Sequence, residues 1–415
     1  MVARDRRELL LAGALSSFGD ELALVALAIR VQDLTGDGYA VAALLAAGLV
    51  PMVILAPFAG SLVDRTETRR TLELVSVAQA IIAAALAFAT ALPLIIALVF
   101  LLGAGAAIAN PAVFALVPVV AGDVGLTRAN SSMEAARYVG MVSGPLAAGL
   151  LAAGPGTTAA MALNGATFLV IATVAASMRA RRPPQTESAT RTRGAAAAGF
   201  RWIVTDRILL VTVGSLACLV LFAAIDNVAE VFFADEVLGA PGWGYGVLAA
   251  AWLAGMIGGV VLVARRLRPS VFAASVFVAA VVGGLAVAGA ALSTTIVVAG
   301  SLFVVGGLAN GVENASMRNL IYHRVPDHLH GRVFAAYIGV VNATQIAALA
   351  LGGVLLAGVG SRDALLVGGL GTAIVGGLGA LAYVGVRRTA PPAAGAVALA
   401  DRVAEASWGP TGIAP

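Results

Sequence analysis

The sequence predicts an all-α integral membrane protein: twelve transmembrane helices in two six-helix halves related by a pseudo-two-fold axis. Three observations predict it: an apolar composition, apolar stretches of membrane-spanning length, and a pattern of turn and charge that recurs at an offset near 205 residues. Of the 415 residues, 60% are hydrophobic and 12% charged, against about 25% charged in a soluble domain. A chain of this size cannot cover so much apolar surface from within, so lipid must solvate it.

Composition also excludes several classes. The net charge of +4 does not point to nucleic acid, because the placement of the basic residues matters more than their sum. Cys218 is the one cysteine and lies in an apolar run. An internal disulfide and a cysteine-built metal site are excluded, and Cys218 reads as a small packing residue. His323, His328 and His330 share one loop with only Asp327 beside them, which predicts no metal site. No Ser/His/Asp grouping, phosphate-binding loop or intramembrane histidine occurs, so neither enzyme activity nor a cofactor is expected.

Stretches of about 20 mostly apolar residues occupy 8–31, 38–63, 71–90, 94–118, 131–153, 159–178, 207–233, 243–264, 271–291, 295–320, 333–357 and 364–386. Between them lie turn sequences such as Gly154-Pro155-Gly156 and Ala240-Pro241-Gly242. The first stretch follows Arg4, Arg6 and Arg7 as a signal peptide would. It resumes beyond Asp20 and Glu21 to Val31, so it reads as an uncleaved first helix.

Arginine sets the orientation. With an even number of spans both termini lie on one side. If that side is cytoplasmic, 22 of the 26 arginines fall in inner segments; only Arg30 and Arg362 fall outside, and Arg137 and Arg318 lie within spans. The positive-inside rule then puts both termini in the cytoplasm and predicts a multi-pass protein of the inner (plasma) membrane.

Residues 179–205, with Pro183-Pro184 and several arginines, read as a cytoplasmic linker. It separates a half at 1–178 from a half at 206–388, and 389–415 read as a disordered tail. The halves echo each other. Thr35-Gly36-Asp37-Gly38-Tyr39 matches Gly239-Ala240-Pro241-Gly242-Trp243-Gly244-Tyr245, and Asp20 falls opposite Asp226. Duplicated halves suggest a transporter with a midplane site between them.

Span 2 closes on Gly60-Ser61-Leu62-Val63-Asp64-Arg65-Thr66-Glu67-Thr68-Arg69-Arg70. Basic residues are ordinary in an inner loop, but Asp64 is not. A carboxylate there can latch onto another helix N-terminus or an arginine, and Gly60 permits close helix approach. The segment resembles the signature loop of the major facilitator superfamily, Gly-x-Leu-x-Asp-Arg followed by basic residues. Glu67 and Thr68 stand where the later glycine is usual, a variant similar to the enterobactin and macrolide exporter branch. The resemblance implies the major facilitator fold and a gating role for Gly60, Asp64, Arg65, Arg69 and Arg70. In span 5, Gly140, Gly144, Pro145 and Gly149 are spaced to pack helices and kink one. They also resemble the Gly-Pro motif of drug/proton antiporters, with Ala148 in place of the first of its paired glycines.

Charge inside spans is the remaining signal. An ionised residue at the bilayer centre costs about 2.5–3.5 kcal/mol even on insertion scales, so it faces a cavity or a partner. The candidates for proton coupling and a substrate cavity are Asp20, Glu21, Asp226, Glu230, Asn310, Glu313 and Arg318. Glu134 and Arg137, at i, i+3, read as a neutralising pair. Asp20 has no basic neighbour within its span, and Glu21 points about 100° away from it. Asp226 and Glu230 share one helix face at i, i+4. With no nucleotide-binding domain, an ion gradient or the substrate's own gradient must supply the energy. The resulting expectation is a secondary transporter, a proton-coupled exporter of a small amphiphilic drug-, macrolide- or siderophore-like molecule. Its partners are then the substrate, protons and the bilayer, with no nucleic acid, and the protein is a monomer. Uptake or lipid flipping by the same fold, and a non-transporting receptor, are the alternatives.

Overall fold

The computed structural model describes residues 2–122, 125–180, 195–326 and 329–388. The tail and most of the polar linker lie outside the described residues. The helices are α1 (Val2–Thr35), α2 (Gly38–Arg65), α3 (Thr68–Phe88), α4 (Leu92–Ala121), α5 (Leu126–Ala153), α6 (Thr157–Ser177), α7 (Ala195–Thr205), α8 (Arg207–Phe232), α9 (Trp243–Gly258), α10 (Phe272–Ala291), α11 (Ile296–Arg324) and α12 (His330–Arg387). One π-helical turn extends α8 over Phe233–Val237 and another extends α9 over Gly259–Val263.

The turn chemistry behaves as the residue types require. Asp37 caps α2 by accepting from Tyr39 N at 2.9 Å. Asp206 caps α8, accepting from Ile208 N at 2.9 Å and Leu209 N at 3.0 Å. Its second oxygen takes Arg324 Nε at 2.8 Å, fastening the end of α11 to the start of α8. Gly360 holds φ 80°, a left-handed conformation that breaks α12 into two limbs.

Among the described residues, ten helices are long and apolar enough to cross a membrane. The sequence reading expects twelve spans, and the difference has two sources. α12 counts once although Gly360 interrupts it, and α5, which carries Glu134, Arg137 and Pro145, is not among the ten. A second difference lies in the linker. Its last part, Ala195–Thr205, is a helix with Trp202 and Ile203 buried, packed against α8 and α12. The polar residues before it mask that short apolar face in any composition average.

The pairings of the first six helices recur in the last five. α1 packs on α5, α2 on α4 and α3 on α6; likewise α8 packs on α12, α9 on α11 and α10 on α12. Glycines set the closest crossings. A methyl group on Gly307 or Gly311 of α11 would overlap the carbonyls of Trp252 or Met256 in α9. Across the sets, α5 meets α9 and α2 meets α12.

The core is not symmetric from end to end. Far from the termini, one apolar cluster joins both sets: Leu22–Val31 of α1, Val41 and Leu44 of α2, Val228–Ala234, Leu248 of α9 and Leu356 of α12. At the terminal end there are two clusters. One holds Leu9, Leu72, Leu116 and Met133 of the first set; the other holds Leu209, Phe277, Met317 and Val333 of the last. At the joined end Gln32 Nε2 donates to Asp235 Oδ2 at 3.1 Å. The two sets are thus sealed together at one end and parted at the other.

Arg30 closes the same end from within. It is 8% exposed, donates from Nε to Thr157 Oγ1 at 2.8 Å and from Nη2 to Thr158 Oγ1 at 3.3 Å, and also reaches Leu86 O. It therefore ties α1 to α3 and α6. Cys218 is exposed on α8, so it is not the packing residue its apolar neighbours suggest.

Candidate functional site

Where the core parts, a cavity of about 460 Å³ opens between the two sets. Its walls come from α1, α2, α4, α5 and α6 on one side and α8, α9 and α12 on the other. Most of the lining is apolar, including Leu24, Leu45, Met52, Val99 and Phe168. The polar groups converge on it: Asp20 and Glu21 of α1, Arg137 of α5, Asn110, Asn164, Asn227, Tyr245 and Gln345.

Asp20 is exposed, and the space it is exposed to is this cavity. Arg137 of α5 lies within electrostatic range of it. Arg137 Nε donates to Ser17 Oγ at 3.3 Å, its guanidinium carbon stands 5.1 Å from the Phe114 ring centroid, and Nη1 is 4.0 Å from Glu134 Oε1. The expected Glu134–Arg137 pair therefore exists at the limit of ion-pair distance, while the arginine also faces Asp20. Glu21 borders the same cavity despite its different heading along α1. Tyr245 of α9, 6% exposed, lies within electrostatic range of both Glu21 and Glu230.

The glycines of span 5 explain why α1 and α5 stand this close. A methyl group on Gly140 would overlap Ala14 O and crowd Phe18 N; on Gly144 it would lie 2.6 Å from Phe18 O and 2.8 Å from Glu21 Cβ. On Gly149 it would lie 3.0 Å from Trp243 O of α9, and Gly246 approaches Pro145 O from the other side. The motif therefore seats α5 between α1 and α9 and brings Arg137 up to Asp20.

Other candidates stand elsewhere. Asp226 turns away from the cavity toward Gly368 of α12, where its Oδ1 occupies the place a Cβ would take. Asp226 Oδ1 and Glu230 Oε1 are buried without a hydrogen-bond partner among the described residues. It is Asn227, one residue on, that lines the cavity. A sequence period fixes the position along a helix, and the rotation set by packing decides which of two neighbours faces inward. Asn314 Nδ2 donates to Asn310 O at 3.0 Å and Oδ1 at 3.1 Å, a bond within α11. Glu313 and Arg318 each lie within electrostatic range of Tyr337 of α12, and Arg318 lines a separate cleft.

Of the loop after α2, Gly60 and Asp64 lie within the helix, but their side-chain positions fall outside the described residues. Arg65 and Arg70 are exposed. Arg69 Nη1 donates to Met178 O at 2.9 Å and Ala176 O at 3.2 Å, and its Nε lies 3.5 Å from Glu67 Oε1. It caps the end of α6 and binds α3 to it.

The cavity residues that sequence reasoning missed are the amides Asn110, Asn164, Asn227 and Gln345, together with Tyr245. Each is a polar group in an apolar stretch, a signal weaker than charge.

The pattern of the Major Facilitator Superfamily matches residues 9–348. No curated protein matches the sequence. Among solved structures, the nucleoside transporter NupG shares 12% identity, with 92% of this chain and 98% of that chain covered at a TM-score of 0.70. A POT family transporter in complex with 5-aminolevulinic acid shares 11%, covering 90% and 94% at 0.71. A bacterial homolog of the human lysosomal transporter Spinster, in an inward-facing and unoccupied conformation, shares 13%, covering 94% and 99% at 0.69.

Proposed function

The chain belongs to the Major Facilitator Superfamily, and from that premise we propose a proton-coupled exporter of a small amphiphilic molecule, working by alternating access between two six-helix halves. It is a multi-pass membrane transporter rather than an enzyme; the coupling, direction and cargo are the proposal. A straight α12 of 58 residues would run about 87 Å, far beyond a hydrocarbon core of about 30 Å. Two passes meeting at Gly360, with the 28-residue α5, bring ten spans to twelve.

The observation that carries the reading is the cavity with Asp20, Glu21 and Arg137 at its wall, placed where the apolar core divides. With both termini in the plasma-membrane cytoplasm, as the arginine bias supports, the parted end faces inward. Cargo then binds from the cytoplasm to the apolar wall, and Asp20 gives its proton to the inner solution. After the halves rock, Asp20 takes a proton from outside and the cargo leaves. Arg137 holds Asp20 when it is ionised.

Susceptibility profiling of cells lacking and overproducing the protein identifies the cargo. Asp20→Asn in proteoliposomes then tests the coupling. Cargo exchange down its own gradient should survive and export driven by a pH gradient should stop. Intact gradient-driven export in that variant removes Asp20 from the role.

A further inference from the structure

A second cavity, of about 800 Å³, lies between α5, α9 and α11. α5 and α9 touch at Gly149 and Gly246 and part toward the terminal end, leaving a cleft along their length. The cleft opens sideways: Val139 on its wall is 69% exposed. Its far part is apolar, with Val142, Leu146 and Val260. Its near part carries Asn130, Ser131 and Glu134. Asn130 to Leu146 is about 24 Å of helix, whereas one leaflet's hydrocarbon is about 15 Å, half of the whole core. The cleft therefore runs from head-group depth into the chain region of one leaflet.

Two charged groups face it. Glu134 is held toward Arg137, which lines the central cavity. Arg318 of α11 is exposed in the cleft and has no carboxylate within ion-pair distance among the described residues. A planar guanidinium suits two-point binding of a carboxylate. The volume falls among pockets for drug-sized ligands, about 300–1,000 Å³, which favours one chain over two.

We propose that the cleft is a lateral access site. A single-chain amphiphile with a carboxylate head group lies between α5 and α9 with its head on Arg318, beside the Glu134–Arg137 pair that divides the cleft from the central cavity. The passage onward rests on the exporter reading; the binding does not.

The test uses the full chain in phosphatidylcholine vesicles with no proton gradient, photolabelled with a diazirine palmitate. Label should concentrate on 139–146 and 257–261 and should be competed by unlabelled palmitate. Arg318→Gln should lower it roughly tenfold, the loss of one charge-assisted hydrogen bond, and Arg318→Lys should restore much of it. A diazirine hexadecanol, lacking the charge, should label the cleft weakly. Label spread equally over the lipid face around Leu378 and Leu381, no competition in the unaltered protein, or equal labelling by the alcohol overturns the proposal. Because labelling needs no gradient, a labelled cleft in a protein whose export ignores pH sinks the exporter reading alone.

Discussion

Asp20 and Asp226 stand at matching places in α1 and α8, yet their surroundings differ. Asp20 faces an open cavity with Arg137 in range, whereas Asp226 is pressed against Gly368 with one oxygen unpaired among the described residues. The contrast comes from the helices that pack on each. α5 brings Gly140 and Gly144 against α1, so α1 keeps Asp20 turned to the centre. The second limb of α12 offers Gly368 and Gly371 to α8, and α8 lays Asp226 and Phe222 into that gap. Of two carboxylates at like positions along their helices, one borders the cavity and the other is packed against a neighbouring helix.

The largest way to break this comparison is Asp20→Asn, which should take pH-driven export to background while Asp226→Asn does not; paired flux measurements check it. Next comes Gly144→Val, which pushes side-chain atoms into Phe18 O and Glu21 Cβ. Overpacking of this kind costs about 1–3 kcal/mol, so the melting temperature in detergent should fall and export with it. An unchanged melting temperature would show that α1 and α5 are less tightly seated than this account holds. Asp226→Asn should leave export within about a factor of two, as for substitutions away from a working site. A large loss of export at equal protein level would move the coupling role toward α8.

The smallest effect concerns the sealed end. Gln32→Ala removes the hydrogen bond to Asp235, worth about 1 kcal/mol, or roughly fivefold in an equilibrium. In a Cys218→Ser background, a cysteine replacing the buried Val41 should react correspondingly faster with a membrane-impermeant maleimide added from outside. An unchanged rate would mean that the apolar cluster alone holds that end shut.

The helical, multi-span character is legible because lipid demands long apolar runs. That signal is strong in composition, and the spans at 38–63 and 295–320 fall on α2 and α11. α7 was not legible, since eleven residues of apolar face are lost beside a polar segment. In the site, charge pointed to Asp20 and Glu21 but equally to Asp226, Glu230 and Glu313, because burial cost is the same for all of them. What separates them is helix rotation, which depends on contacts such as Gly144 with α1 and Gly368 with α8. Glu134 is the first partner the sequence offers Arg137, because i, i+3 spacing shows neighbours on one helix and does not say which residue of a facing helix stands opposite.

Proton release on cargo binding tests the central claim most directly. Purified protein in weakly buffered detergent is titrated with the cargo found by susceptibility profiling, and the pH of the solution is followed. The unaltered protein and Asp226→Asn should both acidify the solution, and Asp20→Asn should not. Equal acidification by Asp20→Asn would contradict the account.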